Sequence, residues 1–209
     1  MIVKYAYEFI GTFFLVLTIG MVSIAPGVPD GFAPIAIGTV LAIMIFAGGH
    51  VSGGHYNPAV SLAVFLRGNN ISSRDMILYW VVQIAGAIAA ALVVMFLKGG
   101  GGEPATIIVA PALLSEFLFT FALCFMVLNV ATAKGTEGNS YFGWAIGMTV
   151  LVGAYAVGPV SGGAFNPAVA VGITVMSMVS WANIWIYLVA QLLAGVVAAY
   201  VFKAAHPGE

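Results

Sequence analysis

Two stretches, Ser52-Gly-Gly-His-Tyr-Asn-Pro-Ala-Val60 and Ser161-Gly-Gly-Ala-Phe-Asn-Pro-Ala-Val169, agree at seven of nine positions. Paired glycines disfavour a helix and admit left-handed backbone. Asn-Pro-Ala-Val then reads as a helix start, because asparagine is a favoured N-cap and proline is favoured at the first helical position. The Asn57 side-chain oxygen is expected to accept from the backbone of Ala59 or Val60, and that of Asn166 from Ala168 or Val169. This leaves each amide NH2 group free to donate. If Asn57-Pro58-Ala59 and Asn166-Pro167-Ala168 open two helices that meet head to head, the asparagines present donors to one central point. Each helix N-terminus adds roughly half a positive charge there, which repels cations. The carbonyls of Gly53, Gly54, His55 and Tyr56, and of Gly162, Gly163, Ala164 and Phe165, are expected to serve as acceptors on either side.

A water molecule between the asparagines would accept from both, so its hydrogens must point away from the centre. Neighbouring waters then orient oppositely in the two halves, and a continuous proton relay is broken. Donors at the middle and acceptors along the walls suit small neutral hydrogen-bonding solutes.

The surroundings are those of a membrane protein. Of 209 residues, 62% are hydrophobic and 6% charged, and mean hydropathy is +1.11. Soluble domains carry about 25% charged residues, so this surface must face lipid. A net charge of -1 argues against a nucleic-acid partner, which needs a basic patch. A crossing helix needs about 20 apolar residues. Six candidates lie at about 4–25, 32–50, 76–97, 107–132, 141–158 and 182–204. The first is read as a retained span rather than a signal peptide. Breaks fall at Ala25–Gly31, Gly99–Pro104 and Lys134–Asn139. Pro58–Leu66 and Pro167–Met176 are too short to span and read as re-entrant pieces. Irregular backbone at membrane depth requires burial in protein or a wet cavity.

The chain is written twice. Glu8 matches Glu116, Tyr79 matches Tyr187 and Gln83 matches Gln191, each at a spacing of 108, while the nonapeptides match at 109. The reading is a single channel domain over 1–209, with one repeat at about 1–100 and the other at about 107–209. Three spans per copy is an odd number, so the second copy runs in the opposite sense. Such inverted repeats place their functional site at the midplane. Six spans put both termini on one side, with Lys4, Arg67, Arg74, Lys134 and Lys203, while Lys98 lies opposite. By the positive-inside tendency the termini are cytoplasmic, in what is expected to be the plasma (inner) membrane.

Two NPA boxes in an inverted repeat, each preceded by Ser-Gly-Gly, make the chain resemble the aquaporins and aquaglyceroporins, the major intrinsic protein family, over essentially its whole length. The resemblance implies an all-α right-handed bundle of six transmembrane helices and two re-entrant half-helices, assembled as a homotetramer with a pore in each subunit. It also implies that Glu8 and Glu116 brace the re-entrant loops. They are the acids inside predicted spans, where an ionisable residue marks function by default. For Glu8 the alternative is a lipid-interface position.

The chain departs from its family after the second box, where Val169 stands in place of the usual arginine. The resemblance maps the filter to Ile37, Ala154, Gly163 and Val169, an uncharged set without a polar side chain. Small walls widen an opening, and losing the arginine removes both a donor and a positive barrier. Ala170 occupies the place of the aspartate often found in glycerol facilitators. The expected passengers are water and other small uncharged solutes: glycerol, urea, ammonia or hydrogen peroxide. Tyr155 or His50 could narrow the pore instead. His55 could bind or gate solute through its ring, or simply contribute its carbonyl.

Two other classes fit the residues less well. A secondary transporter of a small neutral solute shares the inverted repeat but couples to an ion through midplane charges, and neither box contains an acid. A membrane enzyme needs a nucleophile–base pair or metal cluster, and none is legible. No cofactor or metal is expected. Cys124 reads as packing, His50 and His206 as structural or solvent-exposed, and Trp80, Trp144, Trp181 and Trp185 as packing or interface anchors. The pairs Ala85/Ala89 and Ala194/Ala198 suit close helix contacts.

Overall fold

The computed structural model describes residues 2–29, 31–68 and 71–208. Asp30, in the first predicted break, lies outside the described residues. Among the described residues eight α-helices follow one another: α1 (Val3–Ser23), α2 (Ala33–Ser52), α3 (Pro58–Arg67), α4 (Ser73–Lys98), α5 (Val109–Ala131), α6 (Phe142–Ser161), α7 (Pro167–Val175) and α8 (Ile184–Ala205). Six are long and apolar enough to cross a membrane. The short helices α3 and α7 have 10 and 9 residues, about 15 Å each at 1.5 Å per residue. The expected spans stand to within a few residues. α4 begins three residues early because Ser72 caps it, accepting from Asp75 N at 3.1 Å. α6 runs on to Ser161 with Pro159 in its last turn.

The contact pattern repeats with a two-fold exchange. α1 packs on α4 and α2 as α5 packs on α8 and α6, α3 lies against α8 as α7 lies against α4, and α2 meets its own counterpart α6. Each half-helix is therefore held chiefly by the other half of the chain. Small residues permit this approach. A Cβ added at Gly195 on α8 would lie 2.7 Å from the Ala59 carbonyl oxygen on α3, a contact that a side chain would force apart.

The packed faces correct one expectation. Ala194 and Ala198 are fully buried on α8, but Ala85 is exposed and Ala89 half-buried. The buried face of α4 is Tyr79, Gln83, Gly86, Ala87, Ala90, Ala91 and Val94. Keeping the spacing of 108 pairs Ala194 and Ala198 with Gly86 and Ala90, whereas Ala85 and Ala89 lie around the helix from that face.

Outside the core the surface is apolar: Ile77, Val81, Phe96, Leu114, Leu118, Val152 and Leu193 are among the exposed side chains. Trp144, Trp181 and Trp185 are exposed as well, whereas Trp80 Nε1 donates to the Pro58 carbonyl at 2.9 Å. Polar ties close the ends. Lys4 pairs with Asp75 at 2.8 Å, Arg67 donates to the Thr132 carbonyl at 2.7 Å, and Lys98 donates to the Ile24 carbonyl at 2.9 Å and to that of Pro26.

Candidate functional site

Both half-helices start as their sequences dictate. Asn57 and Asn166 are extended, with φ of -158° and -161°. The Asn57 oxygen accepts from Ala59 N at 2.9 Å and Val60 N at 3.5 Å. The Asn166 oxygen accepts from Ala168 N at 2.9 Å and Val169 N at 3.4 Å. Pro58 and Pro167 occupy the first helical position, where a missing N–H costs nothing.

The donors depart from expectation. Asn57 Nδ2 donates to the Phe165 carbonyl at 2.9 Å, and Asn166 Nδ2 donates to the Tyr56 carbonyl at 2.8 Å. These reciprocal bonds stitch the boxes together and use one hydrogen of each amide. An amide NH2 carries two hydrogens, so one per asparagine remains for a solute rather than the whole group. The carbonyls of Tyr56 and Phe165 each accept one of these bonds, which leaves a second lone pair apiece.

The loops before the boxes are conformational twins. Gly53 and Gly54 have φ of 91° and 63°, and Gly162 and Gly163 have 86° and 65°. Tyr56 and Phe165 both sit at φ 49°, a left-handed conformation uncommon for bulky residues. Buried carboxylates hold them there. Glu8 Oε1 accepts from Ser52 Oγ at 2.7 Å and His55 N at 2.9 Å, while Oε2 accepts from Tyr56 N at 2.7 Å and Gln83 Nε2 at 2.8 Å. Glu116 Oε1 accepts from Ser161 Oγ at 2.7 Å and Ala164 N at 3.0 Å, and Oε2 from Phe165 N and Gln191 Nε2, both at 2.8 Å. Four donors match the roughly four acceptor sites of a carboxylate. Both glutamates are fully buried, so Glu8 is not at a lipid interface.

Tyr79, Gln83, Tyr187 and Gln191 have no role that the sequence alone assigns. The structure adds the glutamines to the carboxylate shells and ties each tyrosine hydroxyl to the serine ahead of its box. Tyr79 donates to the Ser52 carbonyl at 2.6 Å, and Tyr187 to that of Ser161 at 2.5 Å. Their shared spacing of 108 was the available signal.

Two cavities approach the boxes from opposite faces. One, of about 600 Å³, lies on the face away from the termini and is lined by Asn57, Asn166 and all four expected filter residues, Ile37, Ala154, Gly163 and Val169. The other, of about 330 Å³, lies on the terminal face, with Lys4, Asp75, His50 and Gly53 in its wall. His55 and Val127 line both. Gly54, His55, Gly162, Gly163 and Ala164 line the larger cavity. Its wall is otherwise mainly aliphatic, with Glu103 as its one charged side chain among the described residues. Tyr155 stands apart, half-exposed and donating to the Gly31 carbonyl at 2.5 Å.

Asn166→Ala tests the stitch. It removes a cap worth about 0.5–2 kcal/mol and a cross-loop bond worth about 1 kcal/mol. The variant should unfold several degrees below the parent in a detergent melt.

The same architecture occurs in a solved structure, the X-ray structure of the aquaglyceroporin from Plasmodium falciparum. The match has a TM-score of 0.80 at 21% identity and covers 99% of this chain and 98% of that one. The chain is 33% identical over 187 residues to Aquaporin TIP1-1 of Arabidopsis thaliana, covering 84% of this chain and 72% of that protein. To Aquaporin NIP1-3 of Oryza sativa subsp. japonica it is 35% identical over 212 residues, covering 96% and 72%. The family model for the major intrinsic proteins matches residues 2–202. With the fold and relatives in agreement, the chain belongs to the major intrinsic protein family.

Proposed function

We propose that this channel is permissive, passing glycerol, urea, ammonia and hydrogen peroxide as well as water, through a filter formed by Ile37, Ala154, Gly163 and Val169. The chain is a multi-pass membrane channel for water and small solutes, in a family of channels rather than enzymes. The observation that carries the permissive reading is the large cavity, where those four side chains carry no charge and no hydrogen-bonding group. A neutral solute meets carbonyl acceptors at Gly162, Gly163 and Ala164 and one remaining N–H from each of Asn57 and Asn166.

Ion exclusion rests on the boxes in this reading. The facing N-termini of α3 and α7 oppose cations. A water held by both asparagines has its hydrogens turned outward, which interrupts proton transfer. The stitch supports this role because it fixes both amides and leaves one donor apiece.

Further parts of the reading are a single channel domain of two inverted halves, a homotetramer by family resemblance, and cytoplasmic termini in the plasma (inner) membrane. The orientation draws its support from the positive-inside tendency.

The test separates a passive channel from a coupled transporter. Urea influx into proteoliposomes should be rapid and unchanged when sodium and proton gradients are imposed or collapsed. Flux that requires either gradient would replace this reading with secondary transport.

A further inference from the structure

The two halves differ beside the boxes. His55 and Ser61 in the first half correspond to Ala164 and Ala170 in the second at the spacing of 109. Ser61 Oγ has three close polar neighbours: the Asn57 carbonyl at 3.1 Å, Gln83 Nε2 at 3.2 Å and His55 Nδ1 at 3.0 Å.

Hydrogen-bond valence decides how these share. Gln83 presents its nitrogen because the same atom lies 2.8 Å from the Glu8 carboxylate oxygen, where an amide oxygen would be repelled. Ser61 therefore accepts from Gln83. A hydroxyl has one hydrogen and two acceptor sites. Its hydrogen goes to the Asn57 carbonyl, the ordinary bond of a helical serine to the residue four back. One acceptor site remains, and it faces His55 Nδ1. All three contacts are bonds only if Nδ1 carries the proton. A neutral ring protonated at Nδ1 leaves Nε2 bare.

The ring is held in place. Its 7% exposure marks it as more than nine-tenths buried, and Tyr79 packs against it edge-on at 5.2 Å. Gly53, at φ 91°, makes room for it: an added Cβ would lie 3.0 Å from Nε2. No described residue hydrogen-bonds Nε2, and His55 lines both cavities.

We propose that Ser61, oriented by Gln83, is a positioning residue that fixes His55 as the Nδ1–H tautomer, so that one half of the passage carries a side-chain acceptor that the other half lacks. The acceptor serves solutes that donate an O–H or N–H hydrogen. The tautomer stands on geometry alone; its consequence for flux rests on the channel reading above. Without Ser61 the ring is free to present N–H instead, turning an acceptor into a donor at that point.

The test uses the full-length chain in lipid bilayers with 15N-labelled histidine. An H50Q/H206Q background leaves His55 as the sole histidine. Solid-state NMR at neutral pH should show Nδ1 protonated and Nε2 bare. S61A should shift the population toward the opposite tautomer, and S61T, which keeps the hydroxyl, should restore it. S61A should also lower urea flux relative to water flux by about two- to tenfold, the range of one neutral hydrogen bond, with S61T close to the parent. A parent spectrum with Nε2 protonated overturns the proposal, as does an S61A spectrum identical to the parent. Absence of flux in the parent chain would sink the channel reading and leave the tautomer result standing.

Discussion

Glu116→Ala should abolish the folded channel. The substitution strips the partner from four buried donors: Ser161 Oγ, Ala164 N, Phe165 N and Gln191 Nε2. An unmade buried bond costs about 1–3 kcal/mol, so the sum is on the order of 5 kcal/mol or more. Native domains have only about 5–15 kcal/mol in total. Phe165 would also lose the N–H anchor that helps hold its left-handed backbone, and its carbonyl is the acceptor for Asn57. Damage at one box is thereby passed to the other. Glu116→Gln should rescue poorly, because its NH2 group would face two donors where the carboxylate had an oxygen. Thermal melts and size-exclusion profiles in detergent read the result directly. An alanine variant that is monodisperse, melts with the parent and conducts water would show that the carboxylate does not brace the loop.

Val169→Arg should convert the selectivity rather than the fold. Val169 is the third residue of α7, buried in the protein yet lining the large cavity with Ile37, Ala154 and Gly163. A guanidinium there brings a fixed charge, several donors and a long side chain among four residues whose side chains have no charge and no donor. Glycerol has the larger cross-section and should be slowed by at least about tenfold, within the discrimination that small changes of pocket shape achieve. Water should remain within a few-fold of the parent. Parallel light-scattering traces for the two solutes supply the ratio. An unchanged ratio would mean that the four residues do not set the filter.

Much of this arrangement could be read from residue order. The spans follow from long apolar runs, and the two half-helices follow from Asn-Pro after paired glycines, since both signals are local. The offset of 108 goes further, because it marks Glu8 and Glu116 as a pair. Other features are products of tertiary approach. Nothing in the spacing says that Asn57 reaches the Phe165 carbonyl across 108 residues. That bond exists only because the opposed loops bring their left-handed turns alongside. The face of α4 is another case. Ala85 and Ala89 have the right size and spacing, yet the helix rotates Gly86 and Ala90 inward because Tyr79 and Gln83 are already committed to the first loop. The clamp on His55 needs Ser61 from α3, Gln83 and Tyr79 from α4, and the missing side chain of Gly53, so no window of sequence contains it.

The central claim is that a passage with an uncharged filter conducts water and other small neutral solutes without a driving ion. Osmotic light scattering on proteoliposomes exposed to an inward glycerol gradient tests it in one trace. The account predicts rapid shrinkage as water leaves, followed by rapid re-swelling as glycerol enters, both faster than in protein-free vesicles. Shrinkage with no accelerated re-swelling would contradict the permissive passage, and traces matching empty vesicles would contradict the channel itself.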